Sequence, residues 1–330
     1  MQAQEDYFEA SDGAKIFVRT FTPAAEKPTA VLHVHHGLGE HSGRYRELAE
    51  ALVAEGLVVV AHDARGHGKT SEAAELGLGC IPAGPEGAVP RMAADLGELI
   101  AASHASRPST PVLLFGHSFG TVISQLCVGG GGAKVDGLLL SAPPARFPAI
   151  MKPVLSTLCA LLNKVYGAHG VSKIPNKLSF DKFQKLTIAA VGGVEKPTGW
   201  EWLNRDPECV AKYISDPFCG HDLSVGFWVS AVQAFYRLQD PASHAALPPS
   251  LPLCIFAGEQ DYVTIDDFGT ASYHHIQKEL LKSGKGGPKI IVYPRARHEI
   301  LHETNREEVI DDILAFVRRC LAGGAPRSRL

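Results

Sequence analysis

The stretch from residue 111 to residue 128, PVLLFGHSFGTVISQLCV, decides the fold of this chain. A short apolar run leads into GHSFG at residues 116–120, and an apolar segment with helical spacing follows. Glycine two residues on either side of a serine, between a strand and a helix, is typical of a nucleophile elbow, in which only minimal side chains fit around the serine. The pattern predicts that Ser118 is a nucleophile at the tip of this turn. The alternative is an ordinary glycine-containing turn.

Composition limits the class of protein. The chain has 330 residues, of which 45% are hydrophobic and 20% charged, values typical of globular proteins. This length accommodates one large α/β domain with an insertion, or two ordinary domains. The net charge of -3 argues against a nucleic-acid-binding protein. The oligomeric state is not predicted.

The seven cysteines are dispersed and odd in number, and no two form a C-x-x-C pair. This usage favours reduced thiols, most of them small core residues, over a disulfide framework or a zinc site.

Both ends of the chain bear on localisation. The first ten residues, MQAQEDYFEA, lack the basic and then apolar order of a secretory signal, and no apolar run reaches the roughly 18 to 20 residues that span a bilayer. These features predict a cytoplasmic protein. We expect the last residues to form a frayed tail. The alternative is that the last three, Ser328-Arg329-Leu330, direct import into a peroxisome-type organelle, because they differ from the peroxisomal Ser-Lys-Leu signal by one like-charged exchange.

Short apolar runs alternate with helical segments in two parts of the chain. Strands are predicted at 15–22, which we expect at a sheet edge, and at 29–35, 57–61, 111–115, 135–141, 253–257 and 289–293. Helices are predicted at 43–55, 91–104, 267–281 and 306–321. This alternation predicts an α/β fold with a mostly parallel central sheet flanked by helices.

The middle hundred residues break this alternation. No clear strand occurs between 143 and 246, only helical apolar segments such as 150–165 and 225–238. We predict a helical cap, or lid, at 143–246. It would be inserted between two parts of the core, residues 1–142 and 247–322, with 323–330 as a flexible tail.

A catalytic serine needs a base to accept its proton and an acid to orient the base. On a fold of this kind the acid and then the histidine follow the serine, each in a loop after a later strand. Asp261 follows the strand at 253–257 and His298 follows the strand at 289–293, so they are the predicted acid and base. The alternatives are His302 for the base and Asp266 or Asp267 for the acid.

The serine also needs two backbone N–H groups directed at the developing oxyanion. Phe119, the residue after the nucleophile, supplies one, and Leu38, in the early glycine-containing loop, is the predicted source of the other. Histidines 35, 36 and 41 flank that loop and look like a metal cluster. No carboxylate stands at ligand spacing, so we expect no metal site, and nothing indicates a cofactor.

Several segments together resemble the monoacylglycerol lipase and lysophospholipase group of the α/β-hydrolases. They are HGLGEHSGRY at 36–45, HDARGHG at 62–68, GHSFG at 116–120, Asp216-Pro217, GEQD at 258–261 and the segment around His298. The matches run from about residue 5 to 320, and GEHSGRY is far more specific than the elbow.

The resemblance implies an α/β-hydrolase fold with a mobile, lipid-facing cap. It also implies a triad of Ser118, Asp261 and His298 and an oxyanion hole made by the N–H groups of Leu38 and Phe119. Two residues depart from the family, which commonly has methionine at the position of Phe119 and alanine at that of Leu38. Both supply only backbone N–H groups, so the chemistry should survive, while the bulkier side chains narrow the acyl entrance.

By that resemblance we expect a serine esterase that cleaves the carboxylic ester of monoacylglycerols to fatty acid and glycerol through an acyl-enzyme intermediate. The alternatives are a lysophospholipase or broad carboxylesterase, or a non-catalytic lipid-binding protein of the same fold. A peptidase would need a cap carboxylate placed for the substrate amine. The expected partner is a single-chain lipid substrate.

The segment at 150–165 carries one apolar stripe: Ile150, Val154, Leu155, Leu158, Leu161, Leu162 and Val165. We expect the stripe to pack onto the core. The functional alternative is that the cap lines an acyl tunnel and makes transient contact with a membrane surface.

Overall fold

A computed structural model describes residues 3–25, 27–81 and 87–323 of the chain. Its central sheet has eight strands in the order β1-β2-β4-β3-β5-β6-β7-β8. The strands are β1 Gln4–Glu9, β2 Lys15–Phe21, β3 Ala30–His35, β4 Leu57–His62, β5 Val112–His117, β6 Gly137–Ser141, β7 Leu253–Gly258 and β8 Lys289–Tyr293. The β1–β2 and β2–β4 pairs are antiparallel and every later pair is parallel, which confirms the mostly parallel α/β sheet.

Helices cover both faces of this sheet. They are α1 Arg46–Ala54, α2 Gly68–Ala73, α3 Ala88–Ser106, α4 Phe119–Gly129, α5 Met151–Tyr166, α6 Lys173–Ala190, α7 Pro207–Ser215, α8 Val225–Leu238, α9 Pro241–Ala245, α10 Ser272–Lys282 and α11 Arg306–Ala322. Successive side chains of a strand point to opposite faces. Val31 therefore belongs to the apolar core that includes residues of α3, α4 and α8, while Leu32 belongs to the core on the other face, with residues of α1 and α11. No helix in the described ranges is long and apolar enough to cross a membrane.

Two predicted elements were wrong in position. The strand at 15–22 was expected at the sheet edge, but β1 lies outside it. Five of the six β1 residues are exposed, so the sequence shows no apolar alternation there. The helix predicted from residue 267 begins only at Ser272. The Asp266 carboxylate accepts the backbone N–H groups of Phe268 and Thr270, each at 2.9 Å, and this turn replaces the expected first helical turn.

Residues 143–246 contain α5 to α9, and their one β-type contact is an isolated bridge between Val171 and Ser224. The predicted helices 150–165 and 225–238 correspond to α5 and α8. The apolar stripe of α5 does not pack onto the core as expected. Ile150 is 80% exposed and Val165 75%, and Leu162 is the one member of the stripe that is buried.

The cysteines are all free, and five of the seven are buried, as their dispersed spacing predicted. Cys209 and Cys219 are partly exposed, and both belong to the segment between β6 and β7.

Candidate active site

The turn between β5 and α4 holds Ser118 in a strained conformation with a φ of 51°. Its backbone N–H donates to the Ser141 carbonyl at 2.8 Å, which ties the turn to β6. A Cβ atom at Gly120 would lie 2.3 Å from the His35 carbonyl oxygen, and one at Gly116 would lie 2.6 Å from the Gly120 carbonyl oxygen. Glycine is therefore required on both sides of the serine, as the elbow pattern predicted.

The structure brings the three predicted triad residues together at the carboxyl ends of β5, β7 and β8. Ser118 Oγ lies 2.8 Å from His298 Nε2, and His298 Nδ1 lies 2.9 Å from Asp261 Oδ2. Asp261 is fully buried, and its other oxygen accepts the Val263 N–H at 2.9 Å. A proton on Nδ1 that is shared with Asp261 leaves Nε2 free to accept the serine hydroxyl.

The alternative acids have other partners. Asp266 Oδ2 lies 3.2 Å from His275 Nε2, and Asp267 pairs with Lys182. Neither carboxylate is therefore available to orient His298.

Burial alone would lower the pKa of His298, because it disfavours the imidazolium. The Asp261 carboxylate and its hydrogen bond outweigh that effect and raise the pKa of His298 above its ordinary value. A histidine with this environment accepts a proton readily, as a general base must.

The loop after β3 approaches the serine closely, since a Cβ atom at Gly37 would lie 3.1 Å from Ser118 Cβ. Among the described residues, the N–H groups of Leu38 and Phe119 donate to no protein acceptor. Phe119 is the first residue of α4, where an N–H has no partner within the helix. Both groups are thus free to receive an oxyanion.

A buried ionic network, which the sequence did not predict, lies beneath this loop. Glu40 accepts the Gly37 N–H at 2.6 Å, the Tyr45 hydroxyl at 2.7 Å and the Arg44 guanidinium at 3.0 Å. Arg44 also donates to both oxygens of Glu299. The GEHSGRY motif contains three of these residues, and it was the signal that could have revealed them.

Both carboxylates of this network are ionised. Burial alone would raise the pKa of Glu40, but the positive charge of Arg44 outweighs burial and holds it far below its usual range. The same opposition between burial and Arg44 leaves the pKa of Glu299 below its usual range. His117, which lies nearby, has a pKa lowered to about 3 by burial and is neutral.

A pocket of about 680 Å³ opens over the triad. Its walls are largely apolar and aromatic: Leu38, Phe119, Pro144, Phe180, Phe183, Trp202, Leu203, Tyr213, Trp228, Phe235 and Val263. Its polar lining consists of Glu40, His117, Ser118, Ser179, His298 and Glu299. An apolar cavity with a few convergent polar groups is typical of a site for an amphiphilic small molecule.

The histidines around the loop lie in two separate settings. His35 and His36 are buried and contact the rings of His62 and His67. His41 instead faces the cap, where its Nε2 lies 2.9 Å from Asp216 Oδ2.

A family profile and several known proteins match this chain in sequence. A sequence profile of the family described as serine aminopeptidase, S33, matches residues 26–305. The monoacylglycerol lipase of Mycolicibacterium smegmatis is 26% identical over 318 residues, which cover 95% of this chain and 96% of that protein. The human monoglyceride lipase is 27% identical over 302 residues, covering 89% and 87% of the two chains.

Two solved structures have a fold similar to that of this chain. A thermostable carboxyl esterase from Bacillus coagulans, in complex with glycerol, superposes with a TM-score of 0.82 at 28% identity, covering 97% of this chain and 99% of that one. A monoglyceride lipase from Saccharomyces cerevisiae superposes with a TM-score of 0.71 at 18% identity, covering 97% and 96%. At that identity the second likeness concerns the fold alone.

Proposed function

This chain belongs to the serine aminopeptidase S33 family, and on that premise we propose that it is an α/β-hydrolase that cleaves monoacylglycerols to fatty acid and glycerol. The observation that carries the proposal is the hydrogen-bonded line from Asp261 through His298 to Ser118 beneath an aromatic pocket. The relatives named monoacylglycerol or monoglyceride lipase, which match along most of the chain, support this substrate class.

The reaction begins when Ser118 Oγ attacks the ester carbonyl carbon and its proton passes to His298 Nε2. The Leu38 and Phe119 N–H groups stabilise the negative charge on the carbonyl oxygen. When the ester C–O bond breaks, His298 returns the proton to the glycerol oxygen, which leaves as the free alcohol. Asp261 holds the imidazole in position and stabilises its positive charge throughout.

The acyl-enzyme is then hydrolysed by the same groups in reverse order. Water gives a proton to His298 Nε2 and attacks the acyl carbon, and the same two N–H groups stabilise the second oxyanion. The bond to Ser118 Oγ breaks, His298 returns the proton to the serine, and the fatty acid is released.

The pocket favours esters over peptides with a free amine, despite the family's description. A peptidase of this kind needs a cap carboxylate to hold the substrate ammonium. The cap residues of the described pocket lining are Pro144, Ser179, Phe180, Phe183, Trp202, Leu203, Tyr213, Trp228 and Phe235, and none is a carboxylate. The carboxylates that do line it, Glu40 and Glu299, lie outside the cap.

Charge also favours a glycerol leaving group over a phosphate-bearing one. Glu40 and Glu299 together carry two negative charges against the single positive charge of Arg44. An anionic head group in the same pocket would be repelled, and burial strengthens that repulsion. Neutral glycerol hydroxyls could instead donate to carboxylate oxygens. A lysophospholipase is therefore the second candidate.

A lipid panel tests this assignment. Purified protein would be incubated with monoacylglycerols, lysophospholipids and p-nitrophenyl esters of matched acyl chains, and the released fatty acid or nitrophenol measured. We expect monoacylglycerol turnover to exceed lysophospholipid turnover. Faster lysophospholipid cleavage would favour the second candidate, equal cleavage of all esters would indicate a broad carboxylesterase, and no turnover at all would indicate a lipid-binding protein.

We also propose that the cap collects its substrate at a membrane surface. Ile150, Val154, Leu161 and Val165 are exposed in or beside α5, as are Ile174, Leu178 and Leu186 in α6. These two helices carry six lysines and one aspartate. An exposed apolar surface rimmed by cations suits the interface of an anionic bilayer.

Vesicle flotation tests this contact. Ile150→Ser and Val165→Ser together should reduce binding to vesicles that contain phosphatidylglycerol. Phe268→Ser is the matched control, because Phe268 is 81% exposed but lies outside the cap. Equal binding of wild type and the cap variant would refute the contact.

Localisation in a peroxisome-type organelle stays a prediction, because Ser328-Arg329-Leu330 lies outside the described residues. A reporter fused to the last dozen residues should be imported like a Ser-Lys-Leu control. A reporter that stays in the cytosol would leave the tripeptide without a targeting role.

A further inference from the structure

Three side chains of different ligand type meet where the cap touches the loop after β3. A ring nitrogen of His41, a carboxylate oxygen of Asp216 and the sulfur of Cys219 all lie within 4.8 Å of one another. Within the described part of the chain, no other group of three His, Cys, Asp or Glu side chains was found in such an arrangement. Imidazole, carboxylate and thiolate are the ligands that Zn²⁺ takes in proteins.

We propose that His41, Asp216 and Cys219 form a binding site for Zn²⁺ that fastens the cap to the loop carrying Leu38. The sequence predicted no metal site because that loop has no carboxylate at ligand spacing. In the fold a carboxylate does reach this loop, because the cap brings Asp216 to His41 from 175 positions further along the chain. Three protein ligands leave one tetrahedral position for water.

The cluster is close to the required geometry. Zinc bonds of about 2.0 to 2.3 Å place tetrahedral ligand atoms about 3.5 Å apart. His41 Nε2 and Asp216 Oδ2 are 2.9 Å apart, and the sulfur lies no more than 4.8 Å from either. Side-chain movements of about 1 Å would therefore complete the site. The side chains of His41 and Asp216 are 11% and 29% exposed, so an ion can reach them from solution.

The surrounding charges favour a divalent cation. The charged groups that act most strongly on Cys219 are the guanidinium of Arg44 and the carboxylates of Asp216, Glu40 and Glu299. Three negative charges thus face one positive charge before any ion binds, and formation of the thiolate adds a fourth. A bound Zn²⁺ would balance this surplus of negative charge.

Binding requires two protons to move, and no electron is transferred. Burial raises the pKa of Cys219 far above its usual value, so the free thiol is protonated. As the metal bonds to sulfur, the S–H proton passes to solvent. His41 Nδ1 accepts the Gly43 N–H at 3.2 Å, so the ring proton lies on Nε2. When Nε2 binds the metal, that proton moves to Nδ1, which then no longer accepts the Gly43 N–H.

The ion would reinforce an attachment that already exists. The Gly39 carbonyl, next to Leu38, accepts the Gly220 N–H at 2.9 Å and the Tyr213 hydroxyl at 2.8 Å. A metal held by neighbouring residues of the same two segments would keep the cap on the oxyanion loop. Because the folded chain alone assembles the three ligands, binding should also stabilise the fold.

Cobalt provides a direct test that does not depend on the proposed function, because it can be performed on the Ser118→Ala variant. Chelator-treated protein would be titrated with Co²⁺, whose thiolate-to-cobalt charge-transfer absorption reports a cysteine ligand, and then with Zn²⁺ as competitor. Cys209→Ser is the matched control, since Cys209 is also partly exposed but contacts Asp206 and the His302 carbonyl instead.

We expect one equivalent of Co²⁺ to produce the band in the parent and in Cys209→Ser, and Zn²⁺ to abolish it and to raise their Tm. Cys219→Ser should show neither effect. Asp216→Asn, a second variant that retains an acceptor for His41, should bind Co²⁺ at least tenfold more weakly. No band in the parent, or a band that survives in Cys219→Ser, would overturn the site.

Discussion

Replacing Gly120 with alanine should damage both the fold and the catalytic turn. The new Cβ atom would lie 2.3 Å from the His35 carbonyl oxygen and 2.6 Å from that of His36, whereas ordinary contacts begin at 3.4 Å. Helix α4 and the end of β3 must therefore separate by about 1.1 Å to restore an ordinary contact. Neither contact atom belongs to a flexible side chain, so the backbone has to move.

That separation sets the expected magnitudes. Overpacking a buried site of this kind costs about 1–3 kcal/mol of unfolding free energy. The same movement shifts Ser118 relative to the Leu38 N–H, and a misplacement of about 1 Å lowers turnover about 100-fold. Both effects come from one backbone contact and should appear together.

Urea denaturation and kcat/KM on a p-nitrophenyl ester measure the two effects. Gly286→Ala is the matched control, because a Cβ atom there meets nothing within 4 Å and the residue has no positive φ. It should change neither quantity. If Gly120→Ala keeps wild-type stability and activity, α4 does not approach the end of β3 as closely as described.

Three further predictions concern charged and titratable groups of the fold. Because Asp261 raises the pKa of His298, the acid limb of the pH profile of kcat/KM should lie above pH 6.5. Asp261→Asn should lower the activity and move this limb to lower pH. A limb that does not move would contradict the coupling between the two residues. Burial lowers the pKa values of His33, His35 and His117 to about 3, so these rings stay neutral in the folded protein while the unfolded chain takes up protons below about pH 6.5. The free energy of unfolding should therefore decrease as the pH is lowered, by about 2 kcal/mol per histidine between pH 7 and pH 5, measured by urea denaturation. Equal stability at both pH values would refute the burial of neutral rings. Glu40→Gln should lower kcat about 10- to 100-fold, because it weakens the hydrogen bond that Glu40 accepts from the Gly37 N–H. Tyr45→Phe removes one hydrogen bond to the same carboxylate and should have a smaller effect. The reverse order would contradict the role of Glu40 in positioning the loop.

Much of the fold, and the proximity of Ser118, Asp261 and His298, could be predicted because their signals are local. The buried strands are continuous apolar runs, and Asp261 and His298 each stand within five residues of the strand that positions them. The order of serine, acid and histidine along the chain then selected these residues among many. The strand β1 was missed because its exposed residues carry no apolar alternation.

The features that sequence reasoning missed depend on distant contacts. Arg44 meets Glu299 across 255 positions, and no local pattern shows that both are buried. His41 meets Asp216 across 175 positions, so the loop alone showed no carboxylate at ligand spacing. The α5 stripe has the same periodicity whether it packs on a core or lies exposed, and only the fold shows that most of it is exposed.

The most direct test of the central claim is the hydrolysis of a monoacylglycerol by the wild type and by Ser118→Ala, with intact-mass analysis after treatment with a fluorophosphonate. The wild type should release fatty acid and glycerol and gain one phosphonyl group on Ser118. The variant should lose turnover by a factor on the order of 10⁴ or more and gain no label. Turnover retained by Ser118→Ala, or labelling of another residue, would contradict the assignment.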